Sequence, residues 1–84
     1  MYAVYLERAA QKDLNNLPRD RFDQITSEIK SLADNPRPVG CRKLTGSKSD
    51  WRIRIGDYRV IYEIDDKAKA VRVMRVRHRR EVYR

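Results

Sequence analysis

Residues 51–62 read W-R-I-R-I-G-D-Y-R-V-I-Y. Two alternating runs flank Gly56-Asp57, and a two-residue loop with glycine first is the chemistry of a tight β-hairpin turn. That turn sets Ile55 opposite Tyr58, Arg54 opposite Arg59, Ile53 opposite Val60, Arg52 opposite Ile61 and Trp51 opposite Tyr62. Directly paired residues point to the same side of a sheet. One face therefore carries Trp51, Ile53, Ile55, Tyr58, Val60 and Tyr62, and the other Arg52, Arg54, Arg59, Ile61 and Glu63. The first face can pack a core. The second is expected to stay open to solvent. Arg54 opposite Arg59 is a destabilising like-charge pair, and a bound anion would relieve it. A basic surface for phosphate is the leading expectation.

The rest of the chain can be read outward from this hairpin. Met1 to Leu6 is expected as a strand, with Tyr2, Val4 and Leu6 on one side. A helical pattern runs from about Glu7 to Leu17, where Ala10, Leu14 and Leu17 recur at helical spacing. Pro18 ends that helix and opens a second, to about Ala33. Phe22, Ile25, Ile29 and Leu32 form its apolar stripe, and Asn35-Pro36 stops it. The two helices should make an αα-hairpin. After the loop from Pro36 to Gly40 come a short strand at Arg42–Leu44 and a turn, T-G-S-K-S-D. A last strand is expected from about Ala70 to Arg77. Simple alternation sets Val71 and Val73 on one side and Arg72, Met74 and Val76 on the other, which suits a central strand or one with a bulge. Helices segregated on one face of a largely antiparallel sheet of four or five strands make an α+β domain, here one domain spanning 1–84.

Charge narrows the function. The 84 residues carry a net charge of +8. Residues 1–42 contribute +1 and residues 43–84 contribute +7, so the second half is the electrostatic footprint and polyanions are the expected partners. Nucleic acid fits better than a membrane, because there is no long apolar run and no basic helix with an aromatic face. The N-terminus is charged too early for a signal peptide. The one cysteine, Cys41, excludes an internal disulfide and fits a reducing compartment, so a cytoplasmic location is expected. One His and one Cys do not make an ordinary metal site, and G-S-K-S is neither a P-loop nor a nucleophile elbow. No cofactor is expected.

The order of elements, with K-L-T-G at 43–46, W-R-I-R-I at 51–55, D-Y-R-V-I-Y at 57–62 and V-R-H-R-R-E-V-Y at 76–83, resembles the RelE/ParE superfamily of toxins from type II toxin–antitoxin pairs. Within it the chain is most similar to the RelE-type mRNA interferases. The resemblance implies two N-terminal helices on one face of a compact sheet. It implies metal-independent cleavage of mRNA in the ribosomal A site by attack of a ribose 2′-OH on the adjacent phosphate. By position, it assigns catalysis to Arg52, Arg54, Arg59, Arg79 and Tyr83, with His78 just before Arg79 as in several members. Lys43, Lys48, Arg77, Arg80 and Arg84 are the accompanying RNA-contact candidates. Arg stands at 52 and 54 where the best-known member type has lysines, and arginine can only donate or stabilise charge. The partners implied are mRNA, the 70S ribosome and a small cognate antitoxin.

Such chemistry needs charge stabilisation, a base and an acid. Guanidinium groups bind phosphate oxygens bidentately and supply the first. A phenol titrates near ~10 and needs nearby arginines to lower it, whereas an imidazole titrates near ~6.5 and suits either role. Tyr83 and His78 are thus the base and acid candidates, with Arg79 able to assist the leaving oxygen. Each feature also has an ordinary reading. Alternating Arg/Ile marks any half-exposed strand, and an arginine-rich tail is a generic phosphate binder. Trp51, Tyr58 and Tyr62 are expected in the core rather than as base-stacking platforms. Two other functions compete with the nuclease: a ParE-type gyrase poison, and a non-catalytic RNA-binding module with salt-dependent affinity.

Overall fold

The computed structural model describes residues 1–82, with side chains through Arg80. Strand β1 (Ala3–Leu6) leads into helices α1 (Arg8–Asn15) and α2 (Arg19–Ser31). Strands β2 (Arg42–Lys43), β3 (Asp50–Ile55), β4 (Tyr58–Asp65) and β5 (Ala70–His78) follow, then a one-turn helix α3 (Arg79–Val82). The sheet order is β1-β5-β4-β3-β2. β1 lies parallel to β5, and the other neighbouring pairs are antiparallel. The α+β architecture expected from the sequence is the one found. The parallel docking of the first strand against the last was not foreseeable from pattern.

Pro18 does the two things expected of it. It separates α1 from α2 and accepts the first hydrogen bond of α2, from the Phe22 N–H at 2.9 Å. The stripe of α2 then buries Ile25, Ile29 and Leu32 against the sheet face formed by Ile53, Ile55, Val60 and Tyr62. Burying one such aliphatic side chain is worth about 1.5–3 kcal/mol, so this layer dominates the fold's stability.

The β3–β4 register is the one read from the sequence, from Trp51–Tyr62 to Ile55–Tyr58. Gly56 has φ +60°. Asp57 is not left-handed, and left-handed geometry at the first loop residue alone is the type II′ pattern. β5 departs from simple alternation. Ile61 pairs with Arg75 and Tyr62 with Val73, so Met74 is one residue too many. This bulge resets the two-residue period. Val76 therefore returns to the core beside Val71 and Val73, rather than joining Arg72 on the other side.

Two polar clamps fix the ends of the sheet. The Asp13 carboxylate accepts the Val76 N–H at 2.9 Å and Arg75 Nε and Nη2 at 2.9 and 3.1 Å. It thus satisfies the β5 edge just past the point where β1 stops at Val73. Asp66 accepts the Tyr2 hydroxyl at 2.6 Å and two bonds from Arg37 at 3.2 and 2.9 Å. Arg37 also lies over the Trp51 ring, and the buried Tyr62 hydroxyl donates to the Pro36 carbonyl at 2.8 Å. The loop leading to β2 is thereby tied to the sheet.

Candidate functional site

The face of the sheet away from the helices is the basic one. Arg54, Arg59 and Arg77 stand in a row across β3, β4 and β5. Arg54 is exposed, but Arg59 is only 8% exposed. This corrects the expectation that the whole arginine face is open to solvent. β4 is flanked on both sides, and its row neighbours are themselves long side chains.

The turn brings in a fourth guanidinium. The Arg79 N–H donates to the Asp57 carbonyl at 2.6 Å, docking the start of α3 on the hairpin turn. Arg54, Arg59 and Arg79 then line one pocket of about 100 Å³, together with Gly56, Asp57 and Tyr58. Three cationic groups around so small a space can hold one tetrahedral anion through charge-assisted bonds. The fold distinguishes Arg54 and Arg79 from the arginines it uses for itself. Arg37, Arg72 and Arg75 are each ion-paired. Among the described residues, Arg54 and Arg79 face no carboxylate within salt-bridge distance.

His78 lies elsewhere. It pairs with Tyr58, so it points to the helix-bearing side, and the two rings meet edge-on with centroids 5.1 Å apart. Its Nδ1 accepts the Arg80 N–H at 3.2 Å, bracing the first turn of α3. It shares a shallow depression with Asp57, Arg79 and Arg80, beside the three-arginine pocket rather than in it. Arg52 is half-buried and lies on the same face as Arg54, two residues along β3. Arg77 is half-buried and completes the row. Lys43 pairs with Trp51 and so belongs to the other side. Lys48 sits in the turn before β3, a strand's length from Gly56, or about 20 Å. Tyr83 and Arg84 lie outside the described residues.

One basic residue of this face escaped sequence reading. Arg42 stands opposite Arg52, on the side of Arg54. Alternation within R-K-L at 42–44 was the available signal, but a two-residue strand is too short to display it. Among the described residues, no group of three or more His, Cys, Asp or Glu side chains gathers as metal ligands. No helix of the described residues is long and apolar enough to cross a membrane.

Comparison with known proteins agrees with this fold. The model of a family described as the ParE toxin of the type II toxin–antitoxin system, parDE, matches residues 4–83. Toxin RelG of Mycobacterium tuberculosis is 36% identical over 87 aligned positions, which cover 99% of this chain and 97% of the relative. The archaeal RelE–RelB complex of Pyrococcus horikoshii superposes with a TM-score of 0.83 at 29% identity, over 93% of this chain and 94% of that one. The toxin–antitoxin complex RelBE2 of M. tuberculosis gives 0.82 at 28% identity, over 92% and 96%.

Proposed function

Since the chain belongs to the RelE/ParE superfamily of type II toxins and is of the RelE type, we propose that it is a metal-independent endoribonuclease. In this reading, residues 1–84 act as one toxin domain that cuts mRNA in the ribosomal A site and halts translation in the cytoplasm. The observation that carries the reading is the convergence of Arg54, Arg59 and Arg79 on one small pocket beside the Gly56–Asp57 turn.

The scissile phosphate sits in that pocket. The ribose 2′-OH attacks the adjacent phosphorus, the bond to the 5′-oxygen breaks, and the products are a cyclic phosphate and a 5′-hydroxyl. Charge builds on the non-bridging oxygens as attack proceeds, and preformed guanidinium donors stabilise it most at that point. Tyr83, four residues past Arg79, takes the proton of the 2′-OH. Arg79 stabilises the leaving oxygen, and since it does not give up a proton, water delivers one. His78 acts as a positioning residue through its bond to the Arg80 N–H. Arg52, Arg77 and Arg80 add RNA contacts, as does Arg84 at the C-terminus. A cognate antitoxin is the protein partner, as in the RelE–RelB complex that this fold resembles.

Primer extension on a defined mRNA, with and without 70S ribosomes, tests the proposal. Wild-type chain should cut only with ribosomes, and Arg79→Ala should lower single-turnover cleavage by roughly 10²–10³. Cuts without ribosomes would make it a free-standing RNase. A second reading, gyrase inhibition, is favoured by the ParE description of the matching family model. No cleavage under either condition, together with loss of gyrase supercoiling, would establish it instead.

A further inference from the structure

The helix-free face carries a second row of arginines that the pocket does not use. Arg42 of β2 stands directly opposite Arg52 of β3, a like-charge pairing with the same kind of cost as Arg54 opposite Arg59. The two rows lie two residues apart on β3, or about 7 Å. Among the described residues, Arg42 faces no carboxylate within salt-bridge distance.

Space accompanies the charge. β2 covers only Trp51 and Arg52 of its neighbour. Past it, a groove of about 710 Å³ runs along the outer edge of β3. Arg42, Arg52 and Arg54 line its sheet side, and Gln24 and Glu28 of α2 line the other. Arg54 and Gly56 line both this groove and the three-arginine pocket, so the two adjoin. The guanidinium groups of Arg42 and Arg54 by themselves outweigh the Glu28 carboxylate, and the groove remains a place for anions.

We infer that the Arg42–Arg52 row is a second phosphate site. It holds the phosphodiester next to the one seated in the Arg54–Arg59–Arg79 pocket, on a single strand of RNA lying along the β3 edge. The inference rests on the nuclease reading above. A polynucleotide carries one anion per unit at a regular repeat, which two arginine rows in register can match one for one. An acidic peptide has no such obligatory spacing. The α2 wall suits a single strand along β3 rather than a duplex across it. Substrate therefore has to extend past the cut on the β2 side, and Arg42 is a substrate-positioning contact.

The test is the salt dependence of affinity for an uncleavable 2′-O-methyl RNA oligonucleotide, measured on the full chain. Losing one phosphate contact lowers the slope of log K against log salt by about 0.7. Arg42→Ala should show that loss and bind roughly tenfold more weakly at low salt, about one charge-assisted contact. Arg42→Lys should restore the slope. A neutral methylphosphonate at the neighbouring position should reproduce the loss in wild-type chain and cost Arg42→Ala nothing more. An unchanged slope in Arg42→Ala, with wild-type chain still binding and cutting RNA, overturns the second site alone. So does a loss seen only with poly-glutamate, which would make the row a protein-docking surface. Wild-type chain that neither binds nor cuts RNA refutes the nuclease reading itself.

Discussion

Replacing Arg59 by methionine should cost activity far more than stability. Arg59 is 8% exposed and stands directly between Arg54 and Arg77. Two guanidinium groups about 8 Å apart repel by about 2 kcal/mol at an effective dielectric of ~20. At physiological salt the Debye length is itself about 8 Å, which cuts each repulsion to well under half. Two neighbours then cost about 1–2 kcal/mol. Methionine has a similar unbranched stem and fills the same lane without the charge, and replacing buried charged groups by apolar ones is often neutral or stabilising. The relieved repulsion is set against the contacts that Arg59 itself makes, so Arg59→Met should unfold within about 1 kcal/mol of wild type. For a chain of this size each kcal/mol corresponds to roughly 4–8 °C in Tm. The same change removes one of the three donors lining the three-arginine pocket, so single-turnover cleavage should fall by about 10²–10³. Urea denaturation and ribosome-programmed cleavage, run on the same preparation, decide the matter. A loss of more than about 1 kcal/mol would mean that Arg59 serves the fold. Full cleavage in a stable variant would mean that it does not serve the chemistry.

Other consequences concern the parts that hold this site. Asp13→Ala removes the acceptor of the Val76 N–H and of Arg75. It should cost about 2–3 kcal/mol by urea denaturation, discounted from a fully buried pair because Arg75 is 41% exposed. Burial alone would raise the Asp13 carboxyl, but hydrogen bonds from Arg75 and the Val76 N–H, with the charges of Arg75 and Arg77, hold it below the usual range. Its contribution is therefore present above the unfolded value near ~3.9. It fades as pH falls through the lower folded value, so wild-type and Asp13→Ala melting curves should converge in acid. Gly56→Ala meets no atom within 4 Å but forces a left-handed residue, at about 1–2 kcal/mol. Because the Arg79 N–H rests on this turn, cleavage should fall along with Tm. Asp66 is drawn down to about 2 by hydrogen bonds from Arg37 and then Tyr2. Carboxyl NMR should find it ionised at pH 3, and a midpoint near 4 would mean that the clamp is open in solution.

The fold was legible wherever one element states its own period. The hairpin from Trp51 to Tyr62 has a strict alternation and a glycine turn, so its register could be written down pair by pair and was found unchanged. The α2 stripe was equally plain, with Ile25, Ile29 and Leu32 all buried. β5 was harder because the Met74 bulge shifts its phase midway, and a two-residue period broken once reads as noise. β1 beside β5 was beyond reach from pattern alone, since nothing local in Ala3–Leu6 names a partner some 67 residues away.

The site divides along the same line. Arg54 and Arg59 could be placed together because one hairpin holds both. Arg79 joins them through a single backbone bond to Asp57, a contact between segments that leaves no trace in composition. His78 shows the hazard of reading proximity along the chain as proximity in space. It is adjacent to Arg79 in sequence, yet strand parity turns it to the Tyr58 side, while Arg77 on its other flank faces the arginine row. In an extended chain, neighbours point to opposite faces. A cluster such as R-H-R-R at 77–80 is therefore two sets of residues until the strand's end is known. β5 ends at His78 and α3 begins at Arg79. That boundary, more than the residue types, decides which basic groups can share a phosphate.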